Sequence, residues 1–260
     1  MDRRTYMKTG AGVLAGGLFA GCTGGGSGDQ GTEANGDSDS GSDSTETSTD
    51  AATTESVVPS NVVIGSDIPY RPFEYETTAG ELTGFDVDIA EAIFEEQLGV
   101  SYEFKSTSFD SIIPSLKNNN FRIIMSAMTI NDERAEQVDF SDPYFTAYQT
   151  VIVRADSGIT SKEDLRGRAV GVQKGTTGAG AAEELQSEFD GELDIKSYDQ
   201  IPGAFQALNN GQVDAVINDN TVNAEFANDN DDVVFLEGEG AAAESDGDAP
   251  PYLTLTVENY

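Results

Sequence analysis

The sequence has no histidine, a single cysteine, and only 14 basic residues against 47 acids in a chain of 260. Each scarcity removes a class of function. Without histidine there is no Ser-His-Asp triad, no Cys-His pair and no imidazole metal site. One cysteine, Cys22, cannot close an internal disulfide. A formal net charge of −33 repels phosphate backbones and argues against a nucleic-acid partner. What is abundant is acid, and it is spread along the whole chain. Such a coat stays solvated and suits a very salty medium, where like-charge repulsion is screened. A halophilic source is therefore expected. The length gives one or two domains and a sizeable core.

Residues 1–22 read MDRRTYMKTGAGVLAGGLFAGC. A basic start (Arg3, Arg4, Lys8) precedes a Gly-rich apolar run too short to span a bilayer, which is the anatomy of a signal peptide. Arg3-Arg4 followed by Tyr6-Met7-Lys8 resembles a twin-arginine export signal. Phe19-Ala20-Gly21-Cys22 resembles a lipobox, with Cys22 as the lipidated first residue of the mature chain; an ordinary cleaved signal with an incidental Cys is the other option. GAGVLAGG is not a nucleotide loop, because no strand precedes it. Residues 23–56 are dominated by Gly, Ser, Thr, Asp and Glu and lack Lys and Arg. They cannot build a core and are expected to be a disordered tether with a mean span of about 30 Å. Their acids lack the spacing of a calcium loop.

Beyond the tether, short apolar runs end in small or polar residues, the pattern of an α/β fold whose strands deliver loops at their carboxyl ends. Val62 to Ile64 leads into Gly65-Ser66-Asp67 and the proline-broken loop to Phe73. Gly84 onward starts a helix with apolar spacing at Phe85, Ile89, Ile93 and Phe94, closed by Gly99. Tyr102 to Phe104 is a strand and Phe109 to Leu116 a helix. Ile123 to Met125 is a buried strand followed by Ser126, Ala127, Met128 and Thr129; Asn131 is a helix N-cap, and Arg134 sits in that helix's first turn. YQTVIVRAD at 148–156 is a strand crossing to a second lobe. Ser161 to Leu165 is a short capped helix. Ala169 to Val172 leads through Gln173-Lys174-Gly175-Thr176-Thr177-Gly178 into a helix to Phe189. Strand, Gly-rich turn and helix start form an anion site of backbone N–H groups, though not a P-loop, since Lys174 precedes the Gly-Thr-Thr. Leu193 to Ser197 is a strand and Ile201 to Asn209 a helix. Val213 to Ile217 is a strand ending at Asn218-Asp219-Asn220. Residues 228–250 are acidic and Gly/Ala-rich with one strand, Val233 to Leu236. YLTLTV at 252–257 is a strand recrossing to the first lobe.

The stretch FRIIMSAMTINDERAEQVDFSDPY, residues 121–144, carries a resemblance. SAMTINDER at 126–134 followed by VDFSDPY at 138–144 resembles the signature of the solute-binding proteins of amino-acid importers, two-lobed extracytoplasmic receptors. The likeness runs from about residue 62 to 257, with several motifs in the family's order: GSDIPYRPF, GFDVDIAEAI, VGVQKGTTG and GQVDAVINDN. It implies a type II periplasmic-binding-protein-like α/β fold. Each lobe would be a mostly parallel sheet flanked by helices, and two hinge strands would join the lobes. Lobe 1 would cover residues 57–147, lobe 2 residues 148–250, and a return strand residues 251–260, with the family's closing lobe 1 helices missing.

The resemblance also implies roles. Arg134 would hold the α-carboxylate of an L-amino acid, with Ser126, Ala127 and Thr129 beside it and Thr176 and Thr177 opposite. Asp219 would take the α-ammonium. Asp67 would meet the ligand side chain, between Tyr70 and Phe109. The helix from Phe85 and the acid Asp214 would be structural. Taken without the family, Arg134 could serve as a surface ion-pair residue, Asp67 and Asp219 as turn or cap acids, Phe109 as core and Thr176 as a cap. The implied protein is a monomeric, lipid-anchored receptor on the outer face of the membrane, needing no cofactor and no metal. It would hand a polar or charged amino acid to an ABC permease and its ATPase. The alternatives are an enzyme on the same fold, of the cyclohexadienyl dehydratase or lytic transglycosylase kind, and a sensory module.

Overall fold

The computed structural model describes residues 59–236 and 254–255. The export leader, Cys22, the acidic tether and most of the return segment lie outside the described residues.

Lobe 1 is built on a three-stranded parallel sheet with β1 (Asn61–Ser66) in the centre, β4 (Ser101–Ser106) on one side and β5 (Ile123–Ile124) on the other. A small antiparallel pair, β2 (Tyr75–Glu76) and β3 (Leu82–Thr83), stands apart. Helix α1 (Phe85–Ala90) continues into a wider π turn over Glu91–Gln97. Helix α2 (Phe109–Lys117) connects β4 to β5, and the one-turn α3 (Asp132–Ala135) follows β5. The core of this lobe is small: Val62, Ile64, Ala90, Phe94 and Met125. The apolar stripe expected on α1 is corrected in part. Phe94 is buried and Ile89 packs on the core, but Phe85 and Ile93 are each 40% exposed. The π turn widens the helix beyond the 3.6-residue period that the spacing assumed. Phe85 instead meets the rings of Phe73, Tyr144 and Phe145.

Lobe 2 is larger. Its sheet runs β10 (Val233–Phe235), β6 (Gln149–Arg154), β9 (Ala215–Asp219), β7 (Ala169–Gln173), β8 (Asp194–Tyr198), and β11 (Thr254–Leu255) also pairs with β6. β7, β8 and β9 are mutually parallel; β6 runs antiparallel to β9, β10 and β11. The central strands are buried on both faces, as their unbroken Val/Ile runs require. Helix α4 (Thr177–Glu188) covers one face and α5 (Ile201–Asn209) the other, with α6 (Asn220–Asn228) after β9. The short Lys162–Leu165 helix carries a full capping box from Ser161 and Asp164. Strand boundaries differ from the sequence reading by one or two residues. β9 extends to Asp219, which places that acid on the last strand residue and not just past it.

The chain enters the lobe 2 sheet at Gln149, and Leu255 pairs with that same residue. The first loop of lobe 1 reaches across: Tyr70 and Phe73 pack with Ile152, Ile201 and Phe205 of lobe 2.

Candidate ligand-binding site

The carboxyl ends of β1 and β5 in lobe 1 face those of β7 and β9 in lobe 2. Between them lies a narrow cavity with only about 10 Å³ of free space. All ten residues singled out from the sequence line it: Asp67, Tyr70, Phe109, Ser126, Ala127, Thr129 and Arg134 from lobe 1, and Thr176, Thr177 and Asp219 from lobe 2.

Arg134 is only 8% exposed. Asn131 caps α3 by accepting from the Arg134 N–H at 2.9 Å, which fixes where the side chain starts. The guanidinium donates to the Thr129 carbonyl at 2.7 Å and, across the cleft, to the Gly175 carbonyl at 3.0 Å. It lies 5.2 Å from the centroid of the Phe109 ring, a cation–π arrangement. No carboxylate among the described residues forms an ion pair with it. Burial pulls its proton affinity down, and the charge of Asp219 partly restores it. The close passage of the lobes needs a glycine at 175. Its φ is +71°, and an added Cβ would lie 3.0 Å from the Asp110 Cα of lobe 1.

Asp219, 6% exposed, is the counterpart. It precedes α6 as N-cap, yet its side chain makes no capping bond. One carboxylate oxygen accepts from the Tyr70 hydroxyl at 2.6 Å and the other from the Gln149 amide at 2.5 Å. Both donors are neutral. Burial raises its pKa, against the opposing pull of Tyr70, Gln149 and the Arg134 charge. The cavity wall therefore holds one cation, Arg134, and facing it from the opposite lobe the acid Asp219, each satisfied by neutral groups and neither in an ion pair; a second acid, Asp67, stands on the lobe 1 side.

Asp67 faces lobe 2. Its carboxylate accepts from the Gln173 amide and, at 3.2 Å, from the Gln200 amide, which also donates to the Ile68 carbonyl at 2.8 Å. Burial raises its pKa, opposed by those two amides. Thr176 caps α4: its hydroxyl accepts from Ala179 N–H at 3.2 Å and donates to the Gln173 carbonyl at 2.8 Å. That is the capping role the sequence left open, and it aims the start of α4 at the cavity. Thr177 accepts from the Gln149 amide at 3.0 Å. Asp214 is structural, accepting from the Ala169 N–H at 3.0 Å.

Sequence reasoning missed Gln173 and Asn218, which also line the cavity. Asn218 accepts from the Tyr70 hydroxyl at 3.1 Å, while its buried amide nitrogen has no protein partner. Both sit at the carboxyl ends of strands, the one signal that could have found them. No cluster of metal-ligating side chains occurs among the described residues.

Comparison with known proteins follows this geometry. The family profile described as bacterial extracellular solute-binding proteins, family 3, matches residues 62–182, and an NMT1/THI5-like profile matches 138–253. The chain is 34% identical over 188 residues to the arginine-binding extracellular protein ArtP of Bacillus subtilis, covering 72% of each chain. It superposes with a TM-score of 0.64 and 40% identity on an ancestral arginine-binding protein bound to arginine, covering 68% of this chain and 79% of that one. An ancestral amino-acid-binding protein, a precursor of cyclohexadienyl dehydratase, is similar at 40% identity and TM-score 0.62, covering 69% and 78%. The chain belongs to the bacterial extracellular solute-binding proteins, family 3, and has their two-lobed fold.

Proposed function

We propose that this protein is the extracytoplasmic receptor of an ABC importer for a polar or charged L-amino acid. The observation that carries the reading is the pair of buried, oppositely charged groups, Arg134 and Asp219, one on each lobe and neither in an ion pair. A zwitterion placed between them supplies both missing charges: its carboxylate to the planar fork of Arg134 and the start of α4, its ammonium to Asp219. Ser126, Ala127 and Thr129 complete the carboxylate side. Asp67 meets a cationic or amide side chain, flanked by Tyr70 and Phe109. A ligand that pairs both charges favours the closed arrangement of lobe 1 (57–147) and lobe 2 (148–250), which swing about the crossing strands, including the return segment at 251–260. The permease reads that closure, and no bond in the ligand is broken.

Calorimetry against a panel of L-amino acids, starting from arginine, tests this. Binding is expected, and to be lost in Arg134→Ala. No heat with any of them would refute it. An enzyme on the same fold is the second reading, favoured by the buried Asp67 and by the dehydratase-precursor relative; turnover of a prephenate-like substrate would establish it.

The N-terminal motifs support export by the twin-arginine route and anchoring of a monomer through lipidated Cys22, with 23–56 as a leash. The mass of the mature N-terminus checks this. The acid coat supports a halophilic setting; a circular-dichroism signal unchanged on removal of salt would count against it.

A further inference from the structure

Beneath the floor of the cavity lie two carboxyl groups that the binding reading does not use. Glu74 and Asp86 are both fully buried. Backbone packing brings them together: the Asp86 N–H donates to the Phe73 carbonyl at 2.9 Å and the Phe85 N–H to the Pro72 carbonyl at 3.1 Å. Gly84 permits this approach, because a Cβ there would lie 2.1 Å from the Phe73 carbonyl oxygen.

Each carboxyl holds one residue of the cavity wall. Glu74 Oε1 accepts from the Ser126 hydroxyl at 2.9 Å, and Ser126 Oγ in turn accepts from the Asp67 N–H at 2.9 Å. Asp86 Oδ2 accepts from the Ala127 N–H at 2.9 Å and from the Tyr144 hydroxyl at 3.1 Å. Ala127 stands at φ +45°, a left-handed conformation that costs a non-glycine residue energy and needs to be held. The other oxygen of each carboxyl, Glu74 Oε2 and Asp86 Oδ1, is buried with no hydrogen-bond partner, as is Ser66 Oγ. A fully buried carboxylate with an orphaned oxygen and no cation in an ion pair with it is not a stable arrangement; a proton on Glu74 removes the unpaired charge.

We propose that Glu74 stays protonated and that this buried neutral acid is the positioning device that sets Ser126 and, through it, the Asp67 backbone for the ligand. The groups that act on Glu74 all favour retention of the proton or are neutral hydroxyls. Burial raises its pKa most, then the negative charge of Asp86; the hydroxyls of Ser126 and the nearby Ser66 oppose them, and the charge of Asp67 adds the smallest upward push. Tyr70 and Tyr144, which also sense Glu74, are held neutral by the same surroundings.

The proton is tested without any ligand. Infrared difference spectra of the full chain at neutral pH, wild type minus Glu74→Gln, should contain a protonated-carboxyl C=O band. Its absence overturns the proposal. Only the affinity arm rests on the receptor reading. With arginine as probe, Glu74→Gln, which copies the neutral acid, should bind within about threefold of wild type, whereas Glu74→Ala should bind about tenfold more weakly, as for one mis-set hydrogen bond. Equal affinity of the Gln and Ala variants overturns the positioning role. If Glu74→Ala does not fold, Glu74→Met, of similar volume but without an oxygen to hold Ser126, replaces it with the same expected loss. A wild type that shows the infrared band and binds no amino acid leaves the protonated Glu74 standing and fails the receptor reading instead.

Discussion

Lobe 2 and the described part of lobe 1 are made differently. In lobe 2 the central strands are buried on both faces, and the core runs continuously from Val151 and Leu165 through Ala182 and Leu185 to Ile217. In lobe 1 the main core cluster has only five buried residues, with Ile112 and Phe121 among those buried outside it, and Phe85, Tyr144 and Phe145 are 40 to 43% exposed. Yet lobe 1 contributes more of the cavity wall, through loops held by buried polar groups: Ser66, Asp67, Glu74, Asp86, Ser126 and Arg134. Stability and recognition are thus unequally divided. One lobe is ordered mainly by apolar packing and offers two poles, Asp219 and the start of α4. The other is ordered around the site by hydrogen bonds and is correspondingly sensitive to the protonation of its acids.

The strongest challenge to this division is to remove one pole from each lobe. Arg134→Ala in lobe 1 and Asp219→Asn in lobe 2 should each weaken arginine binding by about a hundredfold or more, the scale of losing one partner of a buried charge pair. Calorimetry reads both; a near-normal affinity in either variant would mean that only one lobe does the recognising.

Next in size is the contrast in packing. Leu208→Ala, at a fully buried position of lobe 2, should cost about 3 kcal/mol in denaturant unfolding. Phe85→Ala, at a half-exposed position of lobe 1, should cost under about 1 kcal/mol. Similar costs would erase the difference between the lobes.

The smallest effect expected is on pH. Burial raises the pKa of Asp67, Glu74, Asp86 and Asp219, so the folded chain binds these protons more tightly than the unfolded one. Their contribution to folding is complete below the ordinary carboxylate range and is lost as pH rises through the folded values. Affinity for an ammonium has the opposite slope, because Asp219 must be ionised, and it should start to fall at a higher pH than for an exposed aspartate. Thermal melts without arginine and calorimetry with it, over the same pH series, should therefore slope in opposite directions.

The strand–loop order and the cavity-lining residues were legible in the sequence, because short apolar runs ending in Ser-Asp, Ser-Ala or Asn-Asp mark strand ends and the family motifs say which ends converge. The amides were not. Gln173 and Asn218 share the strand-end position, but only the approach of the two lobes turns those ends into a cavity wall. Glu74 was hidden for a similar reason. A glutamate between Phe73 and Tyr75 reads as the polar member of an alternating pair, and only the backbone bond from Asp86 to Phe73 draws it inside. The exposure of Ile93 was not legible because a π turn cannot be read from apolar spacing.

Gln149 is the first residue of β6 after the chain has crossed from lobe 1, and its single amide nitrogen grips both Thr177 and Asp219. Pivot, helix start and anionic pole are therefore parts of one stiff lever, and whatever turns the hinge moves all three by the same angle. Such a lever cannot adapt to guests of different length by sliding one grip against the other. A longer or shorter guest has to be met by the grips of the other lobe or by how far the two lobes close.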